Sequence, residues 1–182
     1  MAIASSYSGN TEETVNCLNQ AIKRGCQIAA IATGGKIAQI AREHNIVYAP
    51  IPHDTQPRMG VLYNLRALLC VLELFGLADN HWLKDLQATE SWLKQESELW
   101  QSNVPTERNY AKQLALVAVG KTPVFYAGSL MAPVAYKWKI SWNENAKNVA
   151  SWNEYPEFNH NEFIGWSSHP VEKLFAIFNI RS

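Results

Sequence analysis

Ala2-Ile-Ala-Ser-Ser-Tyr-Ser-Gly-Asn-Thr-Glu-Glu-Thr14 is the stretch from which the fold is read. Ala2 to Ser5 reads as the end of a short buried strand, and Val15, Leu18 and Ile22 then recur on one face of a helix. Asn10 is placed to cap that helix, with Glu13 three residues on in the capping-box position, and Gly25 to end it. Working outward, Gln27 to Ala32 is a continuous apolar run of strand length, the mark of a parallel strand covered on both faces. Thr33-Gly-Gly-Lys36 turns into a second helix with Ile37, Ile40 and Ala41 inward, and Ile46 to Ile51 is a third strand closed by Pro50 and Pro52. Strand, helix, strand, helix, strand in about fifty residues predicts an α/β protein with a doubly wound parallel sheet and right-handed crossovers.

Beyond that unit, Pro57-Arg58-Met-Gly60 opens a long apolar helix, Val61 to Gly76, whose near-uniform hydrophobicity suggests burial between halves or subunits. Asp79 to Ser102 is a second helical stretch, polar on one side. Val104-Pro-Thr106 breaks it, and Thr106 is a candidate N-cap for the segment carrying Tyr110, Leu114, Leu116, Val117 and Val119. Val124 to Ala127 is a short buried strand, followed by a helix through Ala132, Ala135 and Trp138 to Glu144. Phe163 to Trp166 and Leu174 to Ile180 read as two further strands. The chain therefore divides into a first α/β region over 1–78 with its strand-to-helix loop, a helical connector over 79–106, and a second α/β region over 107–182.

The 182 residues are 47% apolar and 18% charged, which allows a sizeable core. With 16 basic and 16 acidic residues and no basic cluster, nucleic acid and anionic membrane are excluded as expected partners. No run reaches the ~18 apolar residues needed to span a bilayer. The N-terminus has no charged region ahead of an apolar one, so a signal peptide is not expected. Cys17, Cys26 and Cys70 form no C-x-x-C pair and have no histidine at metal spacing, so they read as reduced, buried thiols of a cytoplasmic protein.

Two constellations carry chemistry. Ser6, Ser8 and Thr11, with Gly9 between them, lie where a strand ends and a helix begins. In open α/β sheets ligands collect at that edge, and a helix N-terminus offers free N–H groups and partial positive charge to a phosphate. The alternative is an ordinary Ser-rich turn with an N-cap. The second constellation is Ser141-Trp-Asn-Glu-Asn-Ala-Lys147 with Glu157-Phe-Asn-His-Asn-Glu162, which gathers Glu144 and His160 among Asn143, Asn145, Lys147, Asn159 and Asn161. Asn is a poor helix-interior residue, so its density here points to hydrogen bonding. A solvated helix end followed by a loop is the bland alternative.

Ser6 to Thr14 resembles the phosphate-binding signature of SIS (sugar isomerase) domains. Glu144-Asn-Ala-Lys147 followed by Asn159-His-Asn-Glu162 resembles the second-domain signature of the bifunctional phosphoglucose/phosphomannose isomerases. Pro57-Arg58 and Pro123-Val-Phe-Tyr-Ala-Gly128 fit that family too, in order along essentially the whole chain. The resemblance implies two SIS-like halves, parallel sheets flanked by helices, with the first half incomplete. It implies aldose-ketose isomerisation between glucose 6-phosphate or mannose 6-phosphate and fructose 6-phosphate. In that scheme Ser6, Ser8 and Thr11 hold the sugar phosphate and Arg58 stabilises the enediolate-like intermediate near C1 and C2. Glu144 is the base, and His160, supplied by the partner subunit of a homodimer, assists ring opening. A carboxylate can take a proton from C2 and return it to C1, a guanidinium can stabilise the developing oxyanion, and histidine titrates near neutrality, so no metal or organic cofactor is required. For Arg58 a surface salt bridge or a helix N-terminal contact is the alternative.

The resemblance departs at both ends. Members begin with a helix, a strand and a Gly-Gly-Ser loop and end with a helix bearing an active-site lysine, whereas this sequence runs from Met1-Ala2 to Arg181-Ser182. Lys121, Lys137, Lys139 and Lys147 do not match that lysine's motif. The expectation is a central piece of the enzyme, with an exposed sheet edge that favours a homodimer and with weak or no activity on its own. The competing expectations are a non-catalytic SIS module that binds a sugar phosphate for regulation, and a merely structural remnant.

Overall fold

The computed structural model describes residues 1–182, which form two compact units, Met1–Leu93 and Lys94–Ser182. In the first, β1 (Ala2–Ser5), β2 (Ile28–Ala32) and β3 (Val47–Pro50) pair in parallel in the order β1-β2-β3, with Ser5 opposite Ile31 and Ala32 opposite Pro50. All five residues of β2 are buried, as a central strand requires. Helices α1 (Glu12–Lys23) and α2 (Gly35–Glu43) cover one face, where Leu18, Ile37 and Ala41 meet Ala4, Ala30 and Ala32. Helix α3 (Val61–Leu74) covers the other, setting Ala67 and Val71 against Ala29, Ile31 and Ile51. Because all three strands run the same way, their carboxyl ends open on one edge of the sheet.

The long apolar helix is not covered all round. It buries one stripe and leaves Val61, Leu62, Leu65 and Leu74 exposed. Gly76 takes a φ of +68° just past its end, so the N–H of Leu77 turns back to the carbonyl of Leu72 at 2.8 Å. The polar helical stretch divides at Thr89 into α4 (His81–Ala88) and α5 (Glu90–Leu99).

In the second unit, Asn109 rather than Thr106 caps α6 (Tyr110–Ala118), because Thr106–Arg108 is itself a 3₁₀ turn. The Asn109 carbonyl oxygen accepts from the N–H of Lys112 at 3.0 Å and its amide donates to the carbonyl of Gln101 at 3.0 Å. The sheet has β4 (Thr122–Gly128) at its centre, flanked in parallel by β5 (Ser151–Tyr155) and β6 (Phe175–Ile180). Helix α7 (Ala132–Asn145) makes the crossover from β4 to β5 and packs Ala135 against Phe125 and Ala127. The short α8 (Glu157–Asn161) buries Phe158 against Val124 and Tyr126 on the opposite face.

Two strand expectations change here. Phe163–Trp166 is a 3₁₀ turn, since both hydrogen-bonding edges of β4 are already taken and Trp166 instead sets its ring edge-on to Phe175. The unexpected strand is β5, whose Ser-Trp-Asn-Glu-Tyr sequence has no aliphatic run and is held by its ladder with β4 and by the packing of Trp152. The cysteines are all free, and Cys17 and Cys26 are exposed rather than buried: Cys17 lies on the outer face of α1 and Cys26 in the turn before β2.

Candidate functional site

The hydroxyl-rich loop sits at the carboxyl edge of the first sheet. The β1–β2 ladder runs one step past β1, with the N–H of Ser6 donating to the carbonyl of Ile31 at 3.0 Å, so Ser6 is buried and fixed. Its hydroxyl meets that of Thr11 at 2.8 Å and accepts from the N–H of Gly9 at 3.2 Å. Thr11, not Asn10, is the N-cap residue of α1, and no side chain caps the helix, because the Thr11 hydroxyl is turned to Ser6. The first-turn N–H groups of α1 thus keep their donor capacity. Ser8 is exposed, and its hydroxyl accepts from the N–H of Asn10 at 3.2 Å.

Asn10 serves the other helix. Its carbonyl oxygen accepts from the N–H of Lys36, in the first turn of α2, at 3.0 Å. The N–H of Thr33 donates to Tyr7 at 2.8 Å and that of Ile37 to Gly9 at 3.0 Å, so the loops after β1 and β2 form one clasp. Gly9 has a φ of +70°, and a Cβ there would lie 1.9 Å from the carbonyl oxygen of Gly34. Only glycine allows that approach.

Arg58 lies half-buried in a 3₁₀ turn, Pro57–Met59. The Tyr7 hydroxyl donates to the carbonyl of Thr55 at 2.8 Å, and a Cβ on Gly60 would meet the Tyr7 ring at 2.7 Å. The segment bearing Arg58 is therefore anchored on both sides to the residue between Ser6 and Ser8. The first unit gathers Ser6, Ser8, Thr11 and Arg58 at one sheet edge.

Glu144 and His160 are not brought together within one chain. Glu144 is half-buried in the last turn of α7, a helix of 14 residues, about 21 Å long. That helix begins at the carboxyl end of β4 and runs back, so Glu144 lies at the amino edge of the second sheet. His160 is exposed on α8, which follows β5 at the carboxyl edge. The asparagines around Glu144 serve the chain itself: Asn143 donates to the carbonyl of Asn148 and Asn145 to that of Ser141, each at 2.8 Å. They end α7, with Lys147 beyond them at a φ of +54°.

A half-buried polar bridge was not legible beforehand. Both oxygens of Glu162 are engaged, one by the Tyr126 hydroxyl at 2.7 Å and the other by the amide of Asn153 at 2.6 Å. Burial first, and then the Glu162 carboxylate, hold the Tyr126 phenol well above its ordinary value of 10.0, so it remains a donor. The signal available was a Glu directly after the His-bearing motif, facing a Tyr in an apolar strand. No cluster of three or more His, Cys, Asp or Glu is arranged to hold a metal ion, and no helix is long and apolar enough to cross a membrane.

Residues 107–182 match the family described as the bacterial phospho-glucose isomerase C-terminal SIS domain. A bifunctional phosphoglucose/phosphomannose isomerase from Caldicellulosiruptor bescii is 38% identical over 99% of this chain and 52% of its own length. Over nearly its whole length the chain is similar to bifunctional phosphoglucose/phosphomannose isomerases. An isomerase of the same name from Aquifex aeolicus is 34% identical over 94% of this chain and 49% of its own length. A D-glucosamine-6-phosphate 4-epimerase from Sulfolobus acidocaldarius is 32% identical over 96% of the chain and 54% of its own length. The chain spans about half the length of the curated relatives it matches. Among solved structures, tagatose-6-phosphate ketose/aldose isomerase from Escherichia coli superposes with a TM-score of 0.64 at 14% identity, covering 98% of this chain and 47% of that one. The C-terminal domain of glucosamine-fructose-6-phosphate aminotransferase from Francisella tularensis gives 0.65 at 17% identity, covering 97% and 49%. These likenesses bear on the fold alone: an α/β chain with parallel sheets flanked by helices.

Proposed function

We propose that the chain takes part in aldose-ketose isomerisation of hexose 6-phosphates, interconverting glucose 6-phosphate and mannose 6-phosphate with fructose 6-phosphate through an enediol(ate). The observation that carries this reading is the Ser6–Thr11 hydroxyl pair beside an uncapped α1 N-terminus, at a sheet's carboxyl edge, in a chain similar over nearly its whole length to such isomerases. Ser6, Ser8 and Thr11 hold the phosphate, and Arg58, anchored beside them through Tyr7 and Gly60, meets negative charge as it develops on the sugar oxygens. Glu144 carries the proton between C2 and C1, and His160 exchanges protons between the ring oxygen and the anomeric hydroxyl. The halves 1–78 and 107–182 act as two SIS-like subdomains joined by the helical connector 79–106. The chemistry needs no cofactor, and the protein works in the cytoplasm.

The separation of Glu144 from His160 across the second sheet supports a homodimer in which His160 comes from the partner subunit. Mixing Glu144→Gln chains with His160→Asn chains tests both role and assembly. Each mixed dimer regains one site with both residues, so random pairing restores about a quarter of the native sites in a closed two-fold assembly. The readout is conversion of fructose 6-phosphate to glucose 6-phosphate and, separately, to mannose 6-phosphate. Native turnover by the Glu144→Gln variant refutes Glu144 as base. Retained fructose 6-phosphate binding by chains that never turn it over favours the non-catalytic SIS module.

A further inference from the structure

Helix α8 has only five residues and no side chain caps its start, so it has little stability of its own. Two attachments hold it. Phe158 is buried, its ring 4.3 Å from that of Tyr126 and 5.3 Å from that of Tyr155. The second attachment is Glu162, the residue that closes the helix, whose N–H donates to the carbonyl of Phe158 at 3.0 Å. Its carboxylate reaches into the sheet and takes hydrogen bonds from Tyr126 on the central strand and Asn153 on the edge strand. Those two residues are direct neighbours in the β4–β5 register. The amide of Asn153 is held in orientation, because its own oxygen accepts from the N–H of Glu154 at 2.8 Å. The Tyr126 hydroxyl belongs to a side chain only 2% exposed and has this partner waiting. One carboxylate thus locks two strands and the end of α8 together, two residues from the exposed His160.

We propose that Glu162 is a positioning residue for His160: it fixes α8 on the sheet so that the imidazole is presented in one orientation to a sugar phosphate. The proposal rests on the reading of His160 as the ring-opening residue. Glu162 itself need not touch substrate, since both its oxygens are engaged inside the protein. A carboxylate suits the task because two donors converge and need two acceptors. Glutamine is a partial substitute, because its oxygen can accept from Asn153 while the Tyr126 hydroxyl rotates to accept from its amide. Alanine leaves both donors without a partner.

The test uses the full chain with Glu162→Ala, Glu162→Gln and Tyr126→Phe, the last retaining the ring should the alanine variant not fold. Backbone ¹⁵N relaxation is read at His160 and at β4 amides, and exchange between the anomers of glucose 6-phosphate is read by NMR as a measure of ring opening. In the native chain the His160 order parameter matches that of β4, near ~0.85, and falls below ~0.6 in Glu162→Ala while β4 is unchanged. Anomer exchange falls about tenfold or more in kcat with KM unmoved, the pattern of a step lost after binding, and Glu162→Gln restores most of it. Tyr126→Phe gives an intermediate loss of order. An order parameter at His160 that stays at the β4 value in Glu162→Ala, or in Tyr126→Phe if that is the variant that folds, overturns the proposal. His160→Asn separates the two claims: if it leaves anomer exchange intact while Glu162→Ala still disorders α8, the ring-opening role fails and the anchoring stands.

Discussion

Replacing Gly9 by Ala tests whether the clasp between the loops after β1 and β2 holds the Ser6–Thr11 turn. Two costs add. Alanine at a φ of +70° costs about 1 kcal/mol relative to glycine. The new Cβ also falls 1.9 Å from the Gly34 carbonyl oxygen and 2.8 Å from its carbon, and a backbone carbonyl cannot swing away as a side chain can. The loops must part, which breaks the Thr33-to-Tyr7 and Ile37-to-Gly9 hydrogen bonds at about 1 kcal/mol each. The expected loss is about 3 kcal/mol. Gly25→Ala is the internal control: its φ is +65° but nothing lies within 4 Å of its Cβ, so only the conformational cost of about 1 kcal/mol applies. Urea unfolding followed by amide exchange at Ala30 and Ile31 reports the first unit, and isothermal titration with fructose 6-phosphate reports the loop. Gly9→Ala should lose binding as well as about 2 kcal/mol more stability than Gly25→Ala. Equal losses in the two variants refute the clasp.

Asn109→Ala removes a fully buried cap that serves α6 and the Gln101 carbonyl together, so a loss of about 2 kcal/mol is expected in thermal unfolding, against no loss for the exposed mid-helix Asn19→Ala, where alanine is the better helix former. Tyr126 predicts an alkaline weakness. Its folded pKa is raised, so its contribution is whole below pH 10 and declines above it, where the unfolded chain releases a proton that the folded chain keeps. The limiting slope is about 1.4 kcal/mol per pH unit. Tyr126→Phe removes that component from chemical-denaturation curves between pH 9 and 11, while the raised Tyr48 and Tyr63 contribute to both proteins alike. An identical pH slope in the variant refutes it.

The first unit was legible because each of its elements repeats one simple pattern. Ile28–Ala32 is an unbroken apolar run, and the helices beside it place Leu18, Ile37 and Ala41 at helical spacing. Caps were less legible, since a cap is a choice of hydrogen-bond partner that local sequence leaves open. Asn10 stands beside α1 but bonds to α2, and Thr11 gives its hydroxyl to Ser6. Thr106 has the right side chain for a cap, yet the chain is still turning there, and Asn109 is the residue whose carbonyl oxygen meets an open N–H. Exposure was the hardest to read. The α3 sequence is apolar on nearly every side, yet a helix lying on one sheet buries a single stripe.

The reading of the second constellation turned on one short strand. With 151–155 taken as loop, Glu144 and His160 stand on a helix end and a nearby turn, free to meet in one chain. Pairing Ser151–Tyr155 with β4 changes this, because five residues of strand carry the chain about 17 Å from one sheet edge to the other. The strand is nearly invisible in sequence: its Trp, Asn and Tyr each serve a different partner, the core, Glu162 and Asn179. Yet the same strand supplies Asn153 to the carboxylate that closes α8. The element that separates His160 from Glu144 is therefore also the one that holds His160 in place. Under the proposed function, an exposed histidine far from Glu144 serves a second copy, and the polar bridge at Glu162 is then tied to the assembly of that proposed dimer.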